Sequence, residues 1–220
     1  MGAANIAIAA ASYAGDRNPH AKTRKGASRA AQILQAALAT IAEAGYRDLT
    51  LDTVAARVGI SKGNLQYYFP TRASLLHAAF AEQVASHRKA WSDVADRPAA
   101  NGVARLRRQI AFELAVNRDR TFVAQVMERW LLSERNEALR SLTADWHTWV
   151  TGEYARLIAG IRPRLAHRVR HQLGIMIYAM VVGLAPYLGQ PDAGTDLADF
   201  EERIANTVLD MIASASGGSR

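Results

Sequence analysis

From Ser28 onward apolar residues recur at steps of three and four. Ile33, Leu34, Ala37, Leu38 and Ile41 share one side of a helix that Gly45 stops. Thr50 caps a second helix with inner positions Leu51, Val54, Ala55 and Val58, ended by Gly59. Ser61 caps a third that Pro70 ends, and Thr71 caps a fourth whose stripe Leu75, Leu76, Ala79, Phe80 and Val84 runs to about Ala95. Beyond Pro98 the period stays near 3.6, predicting helices over 101–117, 120–133, 136–160, 165–188 and 196–214, and no stretch alternates at period two. The expected fold is all-α. Its parts are a basic arm over 1–26, a helix-turn-helix domain over 27–72, a connecting helix over 73–95, a helical bundle over 96–214 and a disordered tail over 215–220.

Composition changes that picture in two ways. Residues 1–72 carry nine Lys/Arg against four Asp/Glu, a net of +5, while 73–220 carry eighteen against sixteen, a net of +2. The basic excess therefore sits beside the four short helices, where it attracts polyanions by screened Coulomb forces and counterion release. Cysteine is absent, which removes disulfides and thiolate chemistry and fits a reducing cytoplasm. The apolar run over 3–14 lacks a preceding basic region and is too short to span a bilayer, so no signal peptide is read. The uncharged stretch from His171 to Pro191 reaches membrane length, but its polar residues and Pro186 favour a buried helix, and no membrane partner is expected.

Between Leu51 and Pro70 the spacing matches a helix-turn-helix. Ala55 is small at the crossing, Gly59 occupies the turn that needs positive φ, and Val54, Val58, Ile60 and Leu65 form the shared core. Lys62, Gly63, Asn64, Gln66 and Tyr67 then face away from it. Asn64 and Gln66 are the side chains that pair bidentately with an adenine edge in the major groove, while Lys62, Tyr67, Tyr68 and Arg72 are suited to phosphates. Gly63 permits close approach of the helix start, itself an anion-binding end capped by Ser61.

The stretch ILQAALATIAEAGYRDLTLDTVAARVGISKGNLQYYFPTRASLLHAAF, Ile33 to Phe80, resembles the DNA-binding domain of tetracycline-repressor (TetR) family regulators. The resemblance implies phosphate contacts from Thr50, Tyr67, Tyr68 and Arg72, and base contacts from Lys62, Asn64 and Gln66. The family often carries threonine where Asn64 stands and an aromatic where Gln66 stands, so base preference does not transfer. The implied partners are a near-palindromic double-stranded operator, a second copy of the chain through the last two helices, and a small-molecule effector.

So short a reading helix needs a twin, since one good base contact is worth about 1–3 kcal/mol. The apolar segment Leu173 to Leu188, with the stripe Leu197, Phe200, Ile204, Val208 and Met211, offers a self-complementary surface; filling a monomer core is the other use of it. Phe122, Met127, Trp130, Trp146, Trp149, Tyr154 and Tyr178 are candidate effector contacts, with Gln125, Arg129 and His147 as polar anchors, though each alone also suits core packing. The six histidines form no Glu-x-x-His pair, and no phosphate loop, nucleophile elbow or dinucleotide fingerprint occurs, so neither enzyme nor cofactor is expected. A sequence-indifferent, architectural DNA binder is the rival.

Overall fold

The computed structural model describes residues 23–188 and 197–216. Among them every regular element is helical: α1 (Arg24–Ala44), a 3₁₀ turn (Tyr46–Asp48), α2 (Leu51–Val58), α3 (Lys62–Tyr68), α4 (Arg72–Ala95), α5 (Gly102–Val116), α6 (Arg120–Ser133), α7 (Glu137–Ala159), α8 (His167–Gly183), α9 (Ala185–Leu188) and α10 (Leu197–Ser214). The chain divides into two compact units. One joins the chain up to Ala90 with Ala124–Thr143, the other joins Trp91–Val123 with the chain from Ala144.

The first unit is held by the predicted stripe. Ile33, Leu34, Ala37, Leu38 and Ile41 of α1 are buried with Leu49, Val54, Leu65, Phe69, Leu75 and Phe80. Short polar side chains start its helices: Thr23, Thr50 and Ser61 accept from the backbone N–H of Gly26, Thr53 and Asn64, each cap worth about 1 kcal/mol. At Thr71 the capping is reciprocal, the Ser74 N–H donating to Thr71 Oγ1 and the Thr71 N–H to Ser74 Oγ.

Two boundaries differ from expectation. The first helix begins at Arg24 rather than Ser28, because Thr23 caps it and Gly26 is already buried, so residues 23–26 of the expected arm are structured; the rest of the arm lies outside the described residues. The bundle expected over 96–214 is not one unit either. Leu139 is wholly buried in the first unit's core, with Leu132 and Leu142 packed against it, because α1 and α4 leave apolar surface for a further layer to cover. Polar groups seal that layer: Gln125 Nε2 donates to the Leu38 carbonyl at 3.1 Å, Gln83 Nε2 to Gln125 Oε1 at 3.1 Å and Arg129 Nη1 to Gln83 Oε1 at 3.1 Å.

The second unit packs Leu106, Ile110 and Leu114 with Val150, Tyr154 and Ile158 of α7, Leu173, Ile177 and Val181 of α8, and Val208 and Ile212 of α10, all buried. Helices α7 and α8 cross closely at Gly174, where an added Cβ would lie 2.5 Å from the Thr151 carbonyl. The segment expected as one helix over 165–188 breaks at Leu184, two residues before Pro186, which has no N–H to continue the ladder. By length and composition alone the span His167–Leu188 could cross a membrane. Here one of its sides is turned into the unit through Leu173, Ile177 and Val181, whereas Ile175, Met176 and Tyr187 are exposed on the single chain. On α10 the expected surface stripe is partly inward: Val208 is fully buried because it packs within its own unit, Phe200, Ile204 and Met211 are half-buried, and the Leu197 side chain lies outside the described residues. Residues 217–220 of the expected tail lie outside them too.

Candidate nucleic-acid interface and effector site

Helix α3 has seven residues and one anchor. Leu65 is fully buried, whereas Lys62, Gly63, Asn64, Gln66 and Tyr67 are exposed around it, so hydrophobic burial at a single position orients the whole polar face. The turn before it needs Gly59, whose φ is +71° and which ends α2 in the left-handed region. Gly63 has ordinary helical backbone, and a Cβ there would meet nothing within 4 Å. Its missing side chain therefore answers no need inside the chain and leaves room for something outside it.

The cations on this face are differently committed. Lys62 Nζ lies 2.7 Å from Asp52 Oδ2, an exposed pair that a phosphate or base can replace at small loss. Arg57 clasps Glu43 with both guanidinium arms, at 2.6 and 2.5 Å, tying α2 to α1, and this pairing holds the Glu43 carboxyl below its usual range. Arg72, expected at a phosphate, is half-buried, donates to the Tyr46 carbonyl at 2.5 Å and lies 4.0 Å above the Tyr46 ring, so it also braces α4 against the 3₁₀ turn. Tyr67 is 53% exposed and meets the half-buried Tyr68 edge to face at 5.5 Å. Thr50 and Ser61 sit where expected, at the starts of α2 and α3.

Sequence reasoning missed one wall of this face. A cleft of about 470 Å³ runs between Asn64, Tyr67, Tyr68 and Ile60 on one side and Thr23, Lys25, Gly26 and Arg29 on the other. Its basic wall is the first two turns of α1. The legible signal was Thr23, which has a capping side chain three residues ahead of an N–H it satisfies.

The seven effector candidates divide between the units. Met127 and Trp130 belong to the first; Phe122, Trp146, Trp149, Tyr154 and Tyr178 belong to the second. Gln125 and Arg129 are spent on the buried network around Gln83. In the second unit Trp146 Nε1 donates to the Tyr178 hydroxyl at 2.8 Å, joining α7 to α8, and His147 lies against the Tyr178 ring. Trp91 meets Trp149 at 5.4 Å and Tyr154 at 5.8 Å, both edge to face, and Trp149 meets Trp146 at 5.2 Å. Tyr154 is fully buried, and burial, with the neighbouring Glu113 carboxylate second, holds its hydroxyl well above the usual tyrosine range. Among the described residues no group of three His, Asp or Glu is placed to hold a metal ion.

Residues 33–79 match the family profile described as bacterial regulatory proteins, tetR family. The chain is 33% identical over 147 residues to the HTH-type transcriptional regulator BetI of Burkholderia mallei, covering 63% of this chain and 73% of that one. It is 30% identical over 163 residues to BetI 1 of Chromohalobacter salexigens, covering 71% and 76%. Among solved structures, a Saccharomonospora viridis protein described as a transcriptional regulator, crystallised in complex with choline, superposes with a TM-score of 0.67 at 19% identity over 83% of this chain and 94% of that one. A transcriptional regulator of Rhodococcus sp. RHA1 superposes with a TM-score of 0.70 at 17% identity over 86% and 98%.

Proposed function

This chain belongs to the TetR family of bacterial transcriptional regulators, and from that premise we propose that it works as a homodimeric repressor released from a near-palindromic operator by a small molecule. The observation that carries the reading is α3: seven residues with one buried anchor, presenting Asn64 and Gln66 as base readers and Lys62 as an exchangeable cation. Phosphates are taken by Thr50, Ser61, Gly63, Tyr67 and Tyr68, with Lys25 and Arg29 across the cleft completing the path of the backbone.

The second subunit is supported by the exposed row Ile175, Met176 and Tyr187, which water tolerates poorly on a free chain. A two-fold pairing there would set two α3 helices about 34–36 Å apart, one turn of duplex. Effector and operator are then linked: a ligand that fits only the wrong spacing weakens DNA binding by the factor by which DNA weakens ligand binding, about 5 to 150-fold. The choline-bound neighbour makes a small cation the first effector to try. The protein acts in the cytoplasm and carries no catalytic activity.

Selection of genomic fragments with the purified protein, followed by competition against unrelated duplex at fixed salt, tests the reading. A sequence reader discriminates by about 10³ or more, and Asn64→Ala relaxes preference at particular base pairs. Equal competition by random DNA would instead establish an architectural binder.

A further inference from the structure

We propose that the first unit carries a small-molecule site of its own, in the cleft between α6 and the 3₁₀ turn, and that this site takes an apolar monocarboxylate. The cleft holds about 570 Å³ and is lined by the end of α1, the turn, α6 and the two residues that precede α7. All of its lining residues belong to the first unit. It reaches down to Leu76 of α4, which is 2% exposed, and its α6 wall carries Leu131 and Leu132, the first of them 61% exposed. A leucine open to water above a buried one is apolar surface that folding has left uncovered.

The charges of the cleft are unanswered too. Arg47 of the turn and Arg135 beyond α6 are both exposed, and among the described residues neither guanidinium makes a hydrogen bond or an ion pair. The carboxylates of Asp48 and Glu134 adjoin them in sequence and pair with neither. Arg57, Arg140, Arg156 and Arg203, by contrast, each hold a carboxylate. Glu128 is the one carboxylate among the described lining residues, and a Cβ added at Gly45 would lie 3.3 Å from its Oε1, so it closes the end beside α1.

These features select a ligand class. Two cations against one anion leave the lining with a net positive charge, which favours a monoanion over a neutral or cationic guest. A guanidinium holds a carboxylate by charge-assisted N–H···O bonds, and the leucines call for an apolar body behind that head. An inorganic anion answers the arginines and leaves the leucines wet.

The position gives such a ligand a hold on DNA binding, a consequence that rests on the regulator reading above. Tyr46 lines the cleft with its ring under the Arg72 guanidinium at 4.0 Å, and the turn runs on toward Thr50, the cap of α2 at the reading surface. A guest that bridges α6 and this turn restrains Thr50 before DNA arrives. Part of the ordering cost of binding is then already met, so operator affinity rises several-fold.

The test uses the full-length protein and titration calorimetry. Its probes share one skeleton, 3-phenylpropanoate, 3-phenylpropan-1-ol and 3-phenylpropylamine, with inorganic phosphate as the bare anion. The carboxylate should bind at least about tenfold more tightly than the alcohol or the amine, and phosphate at equal concentration should not displace it. Arg47→Gln and Arg135→Gln change exposed side chains that bond to nothing, so the melting temperature should hold. Each should weaken the carboxylate about threefold or more and leave the alcohol unchanged, whereas Glu128→Gln should strengthen the carboxylate. Equal binding of the three probes, displacement by equal phosphate, carboxylate affinity unchanged in both arginine variants, or no saturable heat from any probe overturns the inference. Operator binding is then measured with and without 3-phenylpropanoate. Tightening that Arg135→Gln abolishes supports the link to DNA, and unchanged or weakened affinity overturns that link. If the unliganded protein binds no operator while the carboxylate still binds, the regulator reading falls and the site stands; if operator binding persists and the carboxylate does not bind, only the site falls.

Discussion

The two units hold their chemistry in opposite ways. The first displays it: Lys62, Asn64 and Gln66 stand in water around a single buried leucine, and each helix start is satisfied by its own cap. The second hides it, with both ends of the Gln109 carboxamide sealed in and without a hydrogen-bond partner. A surface that reads a polymer must be rigid and complete before its partner arrives, because the contacts are many and individually small.

The contrast breaks most severely at Leu65. Leu65→Ala removes the only buried side chain of α3, and a fully buried leucine cut to alanine costs about 2–5 kcal/mol. Operator binding should vanish and the first unfolding transition should move down, while in a Trp130→Phe background, where the remaining tryptophans all lie in the second unit, the fluorescence at low temperature is unchanged by Leu65→Ala. A lowered signal in that background would mean that the two units do not fold separately.

Next in size is Arg72. Were its guanidinium bound to a phosphate, removing it would lower the slope of log affinity against log salt by about one. The bond to the Tyr46 carbonyl and the stack on its ring predict something else: Arg72→Ala destabilises the protein by about 1–3 kcal/mol and leaves the salt slope of the remaining binding unchanged. Lysine should not rescue it, because an ammonium reproduces neither the planar stack nor the fork. Thermal melts with binding isotherms at several salt concentrations measure both.

Arg72 also marks how far the sequence could be read. The helices and the polar face of α3 were legible because local devices set them, namely a cap, a stop and a period of 3.6, each visible within a few residues. Helix α6 was placed at its observed bounds of Arg120–Ser133 for that reason. What a side chain touches 26 residues away is not local, so the bond from Arg72 to the Tyr46 carbonyl could not be read there. The assignment of Leu139 to the first unit and the inward turn of Val208 were hidden likewise, since an apolar stripe declares that it must be covered and not by what. Gln109 was invisible for a further reason: a glutamine in a helix is ordinary until its burial and lack of partners are known.

A smaller effect sharpens the comparison from the first unit's side, where a carboxyl is also hidden. Glu82 is 1% exposed; its Oε1 accepts from Ser86 Oγ at 3.0 Å and its Oε2 has no partner. Burial raises its pKa from 4.5 to about 7. Between those values the unfolded chain has lost the proton and the folded chain keeps it, so stability falls as pH rises through that window and levels off above about 7. Glu82→Gln should flatten this segment of the stability profile and gain about 1–2 kcal/mol at pH 8, read from denaturant midpoints.

The smallest expected change in stability distinguishes two glycines four residues apart. Gly59 has φ of +71°, a backbone that L side chains rarely adopt, so Gly59→Ala should cost about 1 kcal/mol or more even though a Cβ meets nothing there. Gly63 is helical and equally uncrowded, and alanine at such a place usually stabilises a helix, so Gly63→Ala should leave the melting temperature level or slightly raised. If the space beside Gly63 belongs to a DNA backbone, the same methyl that helps the free protein should weaken operator binding, and this opposition separates a glycine kept for folding from one kept for contact. Unchanged operator affinity in Gly63→Ala would move the closest approach of the duplex away from the start of α3, toward the basic wall formed by Lys25 and Arg29.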